Sequence, residues 1–321
     1  MTKIFAIGAS QGGVQALRVL LAGLPADFAA PVLIVQHIGA TESILPAILA
    51  DSSSLPTAFA LDGEPLLPGR VYVAPPDHHM LVNDGKLELT RGPRENWARP
   101  AIDPLFRAAA MYYAQDAIGI VLSGRLNDGT AGLYEIKRWG GLAMVQTPRE
   151  AEAPDMPQSA LDNVPVDYCL PVGDMPRLLI RLASEAGSSI PSTRGVQAVQ
   201  QAQIIQPSAQ TCPECGGAMR EETMGNLTRF RCHIGHVMTA EVLAASQLDE
   251  LENSFSTVLR TLNERAALCR DLAAKHRAAG NVRAAETWQK AAEQAESREK
   301  AAQALVDLDW THPEAASEAA E

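Results

Sequence analysis

Along the first 186 residues, apolar positions gather into short continuous runs separated by stretches with helical spacing. The clearest runs are Ile4–Ile7, Val32–Gln36, Val71–Ala74, Ile118–Leu122 and Leu142–Gln146. They are continuous rather than alternating, as expected of strands buried on both faces. Between them the spacing predicts helices over Val14–Leu21, Ile44–Ala50, Pro104–Tyr113 and Leu133–Trp139; Val14, Leu17, Leu20 and Leu21 mark the face of the first. Strand and helix in alternation predict an α/β fold, a doubly wound and mostly parallel sheet of Rossmann-like type. Gly63–Gly92 interrupts the alternation, and Val71–Ala74 with Lys86–Leu89 reads there as a hairpin or meander insertion.

The pattern changes after the α/β domain, 1–186. Residues 187–210 are rich in Ser, Gln, Ala and Pro without apolar period and read as a linker. A compact Cys/His segment occupies 211–238. Leu251, Phe255, Val258, Leu262 and Cys269 then recur at three-and-four spacing, Gly280-Asn281 breaks the pattern, and Val282, Ala285, Trp288, Ala292 and Ala295 resume it. This predicts a helical hairpin over 239–308. The Ala/Glu-rich tail, 309–321, has the composition of a disordered segment.

Charge and composition narrow the function. A formal net charge of -11 and a pI near 5.2 argue against a nucleic-acid partner. No apolar run approaches the roughly 20 residues of a membrane helix, so no membrane insertion is expected. The chain opens directly on a strand without a signal peptide, and three of its five Cys are clustered, which fits a cytoplasmic protein with a metal site better than a disulfide framework.

Candidate chemistry lies at strand ends. Ser10 sits in Gly8-Ala9-Ser10-Gln11-Gly12-Gly13, where a buried strand hands over to a helix N-terminus. Alone, this turn reads equally as a phosphate cradle or a Ser N-cap. His37 follows the second strand, and Asp128 lies in the loop after Ile118–Leu122. Each has an ordinary reading, His37 as a satisfied imidazole and Asp128 as a turn residue. Together at one edge of a parallel sheet, where ligands bind, they read as a Ser-His-Asp triad, since a Ser hydroxyl needs a base that is itself oriented by a third group. Adjacent His78 and His79 would point oppositely and make a poor metal pair. Asp103 reads as a helix cap with Pro104 at the first position, and Cys169 as a core residue.

Cys212-Pro213-Glu214-Cys215 and Cys232-His233-Ile234-Gly235-His236 form two short-spaced ligand pairs. Cys212, Cys215, Cys232 and His236 are the expected ligands of a structural zinc, with His233 the substitute for His236 and a disulfide the alternative. Four protein ligands would leave no position for a reacting water, so no cofactor is expected in catalysis.

Several ordered segments resemble one family. Gly8–Gly13, Val35-Gln36-His37, Asp62–Gly69, Tyr72–Met80, Arg99–Phe106 and Leu122–Gly129 are similar to the CheB-type catalytic domain of the chemotaxis protein-glutamate methylesterases, over roughly Met1–Leu182. The resemblance implies an esterase that hydrolyses glutamyl methyl esters on chemoreceptors, with glutamine deamidation in some members. It makes Ser10 the nucleophile, His37 the general base and acid, and Asp128 the orienting carboxylate. Gln11 and Arg125 fall at the oxyanion and pocket positions. It also implies as partner the cytoplasmic domain of a methylated chemoreceptor, or a related signalling protein. Two positions depart from the family: Arg125-Leu126 replaces the usual Met and small residue, and Gln11 stands where Thr or a small residue is common. A stand-alone form without the family's receiver domain is expected. Two other functions stay open, a catalytically weakened scaffold module and an esterase for small molecules. The C-terminal segments are expected to tune access to Ser10 without supplying a catalytic group. A cut near Ser192 would then leave small-ester hydrolysis retained or raised.

Overall fold

Ile4–Ala9 forms β1, buried along its whole length at the middle of a seven-stranded sheet. The structure, a computed structural model, describes residues 3–185 and 206–308. The expected linker, 187–210, lies outside these residues apart from its last five, which begin a strand, and the tail 309–321 lies outside them entirely. The other strands are β2 (Val32–Gln36), β3 (Thr57–Phe59), β4 (Val71–Val73), β7 (Ala117–Val121), β8 (Leu142–Gln146) and β9 (Tyr168–Leu170). The order is β3-β4-β2-β1-β7-β8-β9, and every pairing is parallel. The run at Val71 thus belongs to the main sheet beside β2; only β5 (His79–Asn83) and β6 (Lys86–Thr90) form the inserted antiparallel hairpin.

Alternate residues of the strands serve two cores. Phe5, Ile7, Val32 and Ile34 pack with Leu17 and Leu20 of α1 (Gly13–Ala22), Leu49 of α2 (Leu45–Ala50) and Leu179 of α6 (Met175–Ser184). Ile4, Ala6, Leu33 and Val35 face the other way, toward Ile102 and Phe106 of α3 (Ile102–Tyr113), Leu133 of α4 (Thr130–Arg138) and Met156 of α5 (Asp155–Asn163). The chain builds outward from β1 through β2 to β4, then returns to place β7 on the other flank of β1. That reversal leaves a crevice beyond the C-terminal ends of β1 and β7.

Strands β10 (Gln206–Thr211), β11 (Ala218–Met224), β12 (Leu227–Cys232) and β13 (Val237–Thr239) form an antiparallel ribbon. The ribbon belongs to the same compact unit as the parallel sheet, a unit that extends to Val242. A second unit, from Leu243, consists of most of α7 (Ala240–Ala278) and all of α8 (Val282–Val306). These helices are joined through Gly280, whose φ of 75° is left-handed. Small residues fill the buried seam: Ala266, Cys269 and Ala273 of α7, and Ala285, Ala292 and Ala295 of α8. Of the expected stripe, Cys269, Ala285, Ala292 and Ala295 are buried, whereas Leu251, Val258 and Val282 are exposed and Phe255 and Leu262 half-buried, so this seam is buried only toward the turn. Among the described residues, no helix is long and apolar enough to cross a membrane.

Candidate active site

Strands β2, β1 and β7 are parallel neighbours, so the segment leaving the C-terminal end of each emerges at one edge. Ser10 comes directly after β1, His37 directly after β2, and Asp128 lies in the loop between β7 and α4. His37 Nδ1 lies 3.2 Å from Ser10 Oγ, and His37 Nε2 lies 2.7 Å from Asp128 Oδ2. Two backbone bonds carry the sheet's ladders past the strand ends and fix both residues: Ser10 N–H donates to the Ser123 carbonyl at 2.9 Å, and His37 N–H to that of Ala9 at 3.0 Å. Buried Gln36 adds a third restraint, its Nε2 donating to the carbonyls of Ser10 (2.7 Å) and His37 (3.2 Å). Sequence reasoning passed over Gln36; the available signal was an amide closing an otherwise apolar strand.

Close approach explains the small residues here. Gly12, after the turn, has a φ of 72°. Gly124 passes so near Ser10 that a Cβ on it would lie 2.8 Å from Ser10 Cβ.

Asp128 is 2% exposed and heavily bonded. Its Oδ2 also accepts the Ile102 amide at 2.7 Å, while Oδ1 accepts from Asn96 Nδ2 at 2.9 Å, Gly129 N–H at 3.0 Å and Asp103 N–H at 3.3 Å. Ile102 and Asp103 open α3, so this carboxylate caps a helix N-terminus, where the exposed amides and the helix dipole favour negative charge. Burial pushes the Asp128 carboxyl up, but the His37 bond and charge, the Ile102 amide and the Asn96 amide outweigh it and hold it below the ordinary value.

Asp103 does not cap its own helix. Helix α3 begins at Ile102, and Asp103, buried in its first turn, instead accepts from Gly129 N–H (3.1 Å) and Gly132 N–H (2.6 Å) at the start of α4. The two helices thus exchange caps. Burial and the neighbouring Asp128 charge raise the Asp103 carboxyl to about 7.

The remaining candidates fall as follows. Gln11 is exposed, and its carbonyl accepts the Ser123 hydroxyl at 2.7 Å. The Arg125 side chain is exposed. The amides flanking it are engaged, Gly124 N–H with the Ala153 carbonyl at 2.9 Å and Leu126 N–H with Asp155 Oδ2 at 3.3 Å. Buried His79 bonds the Pro93 carbonyl through Nε2 and accepts the Ala101 amide at Nδ1, a structural role. Cys169, expected in the core, is exposed on β9, a strand with a neighbour on only one side.

In the ribbon, Cys212, Cys215, Cys232 and His236 bring their ligand atoms within 4.8 Å of one another. Cys215 Sγ lies 3.6 Å from Cys232 Sγ, and His236 Nδ1 lies 3.7 Å from Cys212 Sγ and 3.5 Å from Cys232 Sγ. Tetrahedral zinc, with Zn–S about 2.3 Å and Zn–N about 2.0–2.1 Å, has S···S edges of about 3.8 Å and S···N edges of about 3.6 Å. The cluster therefore fits such an ion. The thiols are free, their separation being far beyond the about 2.05 Å of a disulfide.

Comparison with known proteins adds a family. The CheB methylesterase profile matches residues 5–179. A Leptospira interrogans protein provisionally named a protein-glutamate methylesterase/protein-glutamine glutaminase is 42% identical over 178 residues, 55% of this chain and 92% of that protein. Protein-glutamate methylesterase/protein-glutamine glutaminase 2 of Anaeromyxobacter dehalogenans is 39% identical over 182 residues, 56% of this chain and 53% of its own. The chain thus spans nearly all of the first relative but about half of the second. The crystal structure of the Thermotoga maritima CheB methylesterase catalytic domain superposes with a TM-score of 0.55 at 34% identity, covering 57% of this chain and 99% of that one.

Proposed function

The chain belongs to the CheB methylesterase family, and from that premise we propose that it hydrolyses glutamyl methyl esters on the cytoplasmic domain of a chemoreceptor or related signalling protein, through Ser10, His37 and Asp128. The observation that carries this reading is the continuous chain of hydrogen bonds from Ser10 Oγ through His37 to Asp128 at the sheet's switch point. Ionised Asp128 accepts the Nε2 proton of His37, which leaves the Nδ1 lone pair directed at the Ser10 hydroxyl. The ring is therefore used the other way round from the serine-protease arrangement, and either nitrogen serves equally as base.

Ser10 Oγ attacks the ester carbonyl carbon as His37 Nδ1 takes its proton. The tetrahedral intermediate collapses with cleavage of the bond to the methoxy oxygen, and His37 returns the proton to release methanol. Water, deprotonated by the same nitrogen, then attacks the acyl-Ser10 ester and frees the glutamate carboxylate and the Ser10 hydroxyl. An oxyanion donor is required throughout. The Gln11 amide, next after the nucleophile at the entry to α1, is the first candidate, and the loop at Arg125 supplies the second. Glutamine deamidation would follow the same path with ammonia as the leaving group. None of these steps uses a cofactor.

We further assign a structural zinc to Cys212, Cys215, Cys232 and His236. All four positions of a tetrahedral ion are taken by protein, so it would hold the ribbon together and supply no chemistry. A substrate on the cytoplasmic domain of a receptor places the enzyme in the cytoplasm. The test is methanol release from methylated receptor by wild type and Ser10→Ala. Release by wild type alone supports the assignment; equal release by both, or none by wild type, overturns it.

A further inference from the structure

Outside the triad, a buried polar network joins the ribbon to the residues flanking Asp128. Asn96, whose φ of 48° is left-handed, stands at its centre. Its Nδ2 donates to Asp128 Oδ1 (2.9 Å) and to Asp103 Oδ2 (3.2 Å). Its other polar groups belong to the ribbon: Asn96 N–H donates to the Val237 carbonyl at 2.8 Å, and Asn96 Oδ1 accepts the Thr239 amide at 3.2 Å. Asn127, the residue before Asp128, is held from the same side. Its Oδ1 accepts the Thr239 hydroxyl at 2.8 Å, and its Nδ2 donates to Glu241 Oε2 at 2.8 Å. Thr239 is 1% exposed and Asn127 4%, so these bonds are made out of water, where a lost partner leaves a costly orphan. The Thr239 hydroxyl also accepts the Val242 amide at 3.3 Å, capping α7. Its geometry is thus fixed from two directions.

We propose that β13 and the first turn of α7 are positioning elements of the esterase, with Thr239 and Asn96 holding the Asp128 loop in the one arrangement that meets His37. This inference rests on the Ser-His-Asp reading and adds to it a part of the chain beyond the matched family region, which ends at residue 179. Strand β13 starts one residue after His236, and Cys232 N–H bonds the His236 carbonyl at 3.0 Å, so the metal cluster sets the corner from which β13 departs. Metal binding in the ribbon and turnover at Ser10 are thereby coupled through Thr239 and Asn96. On this proposal a cut near Ser192, which removes Thr239, should lower small-ester hydrolysis, where the sequence alone predicts it retained or raised.

The test uses the full zinc-loaded chain, p-nitrophenyl acetate as small ester, and a fluorophosphonate that labels a reactive Ser. Thr239→Val keeps the side chain's shape and removes its hydroxyl. It should lower kcat and the labelling rate about 10-fold, because a small misplacement of a catalytic group is enough to do so, while KM moves less than about two-fold. Thr239→Ser, which keeps the hydroxyl, should restore both rates. Removing zinc with a chelator should lower them similarly, and adding zinc back should recover them. If Thr239→Val does not fold with one zinc bound, the same comparison is made with Glu241→Ala, at an exposed position, where about a three-fold fall in kcat is expected. Active wild type with unchanged rates in the folded variant would overturn the coupling alone. Wild type inert toward both reagents would overturn the esterase reading, and the coupling with it.

Discussion

In the parallel sheet, β1 is buried over all six residues by apolar neighbours on both faces. The ribbon of β10–β13 buries a few scattered side chains, Met219, Met224, Leu227 and Val237 among them, and gathers three thiols and an imidazole at one end. The first can hold its shape by burial alone; the second buries little apolar area, so on the proposed zinc assignment its stability would rest on the Cys/His cluster. Polar contacts run from this ribbon onto the loop that carries Asp128. One half brings Ser10, His37 and Asp128 together, and the other, on our proposal, steadies them.

The largest effect should come from within the sheet half. Asp128→Asn removes the acceptor that selects the His37 tautomer, and kcat on a small ester should fall by about 10⁴-fold while the fold persists. A fall of less than ten-fold would mean that Asp128 is merely a helix cap. Next comes the ribbon. On chelation, amide hydrogen exchange should speed up across β11–β13 and stay slow in β1 and β7. Uniform protection before and after would show that the ribbon needs no metal.

A third substitution sharpens the packing side of the contrast. Gly124→Ala would drive a methyl into the Met156 side chain and against Ser10, and should cost about 1–3 kcal/mol in denaturant unfolding, with turnover reduced as well. The last effect appears only on titration and concerns Asp103, whose folded carboxyl, raised to about 7, holds its proton more tightly than the unfolded one near 3.8. Stability should therefore decline as pH rises between those values and level off above them. Asp103→Asn still offers an oxygen to the Gly129 and Gly132 amides and should flatten that decline between about pH 4 and about pH 7. Asp128 acts in the opposite sense and at the acid end: its lowered carboxyl contributes stability that is present above 3.8 and is lost as pH falls through its folded value.

What could be read in the sequence reflects the same division. Ser10, His37 and Asp128 were legible because each lies just beyond, or in the loop after, an apolar run, and parallel strands align such ends without further information. The Cys212, Cys215, Cys232 and His236 cluster was legible because its spacing is local. Asn96 and Thr239 were not, since they meet across 143 residues and neither sits in a periodic run. Asp103 looked like an ordinary cap because Pro104 follows it; that it caps α4, with Asp128 returning the favour at α3, depends on how two helices pack. Strands β11 and β12 were hidden by their charged residues, Arg220, Glu221, Glu222, Arg229 and Arg231, of which Glu222 and Arg229 are buried as a pair.

The proposed activity stands most directly on methanol. Methylated receptor membranes incubated with this 321-residue chain should release methanol at a rate proportional to enzyme, and Ser10→Ala should reduce that release by at least about 10³-fold. Release that is unchanged by Ser10→Ala, or absent with a wild-type protein whose Ser10 still reacts with a fluorophosphonate, would contradict it.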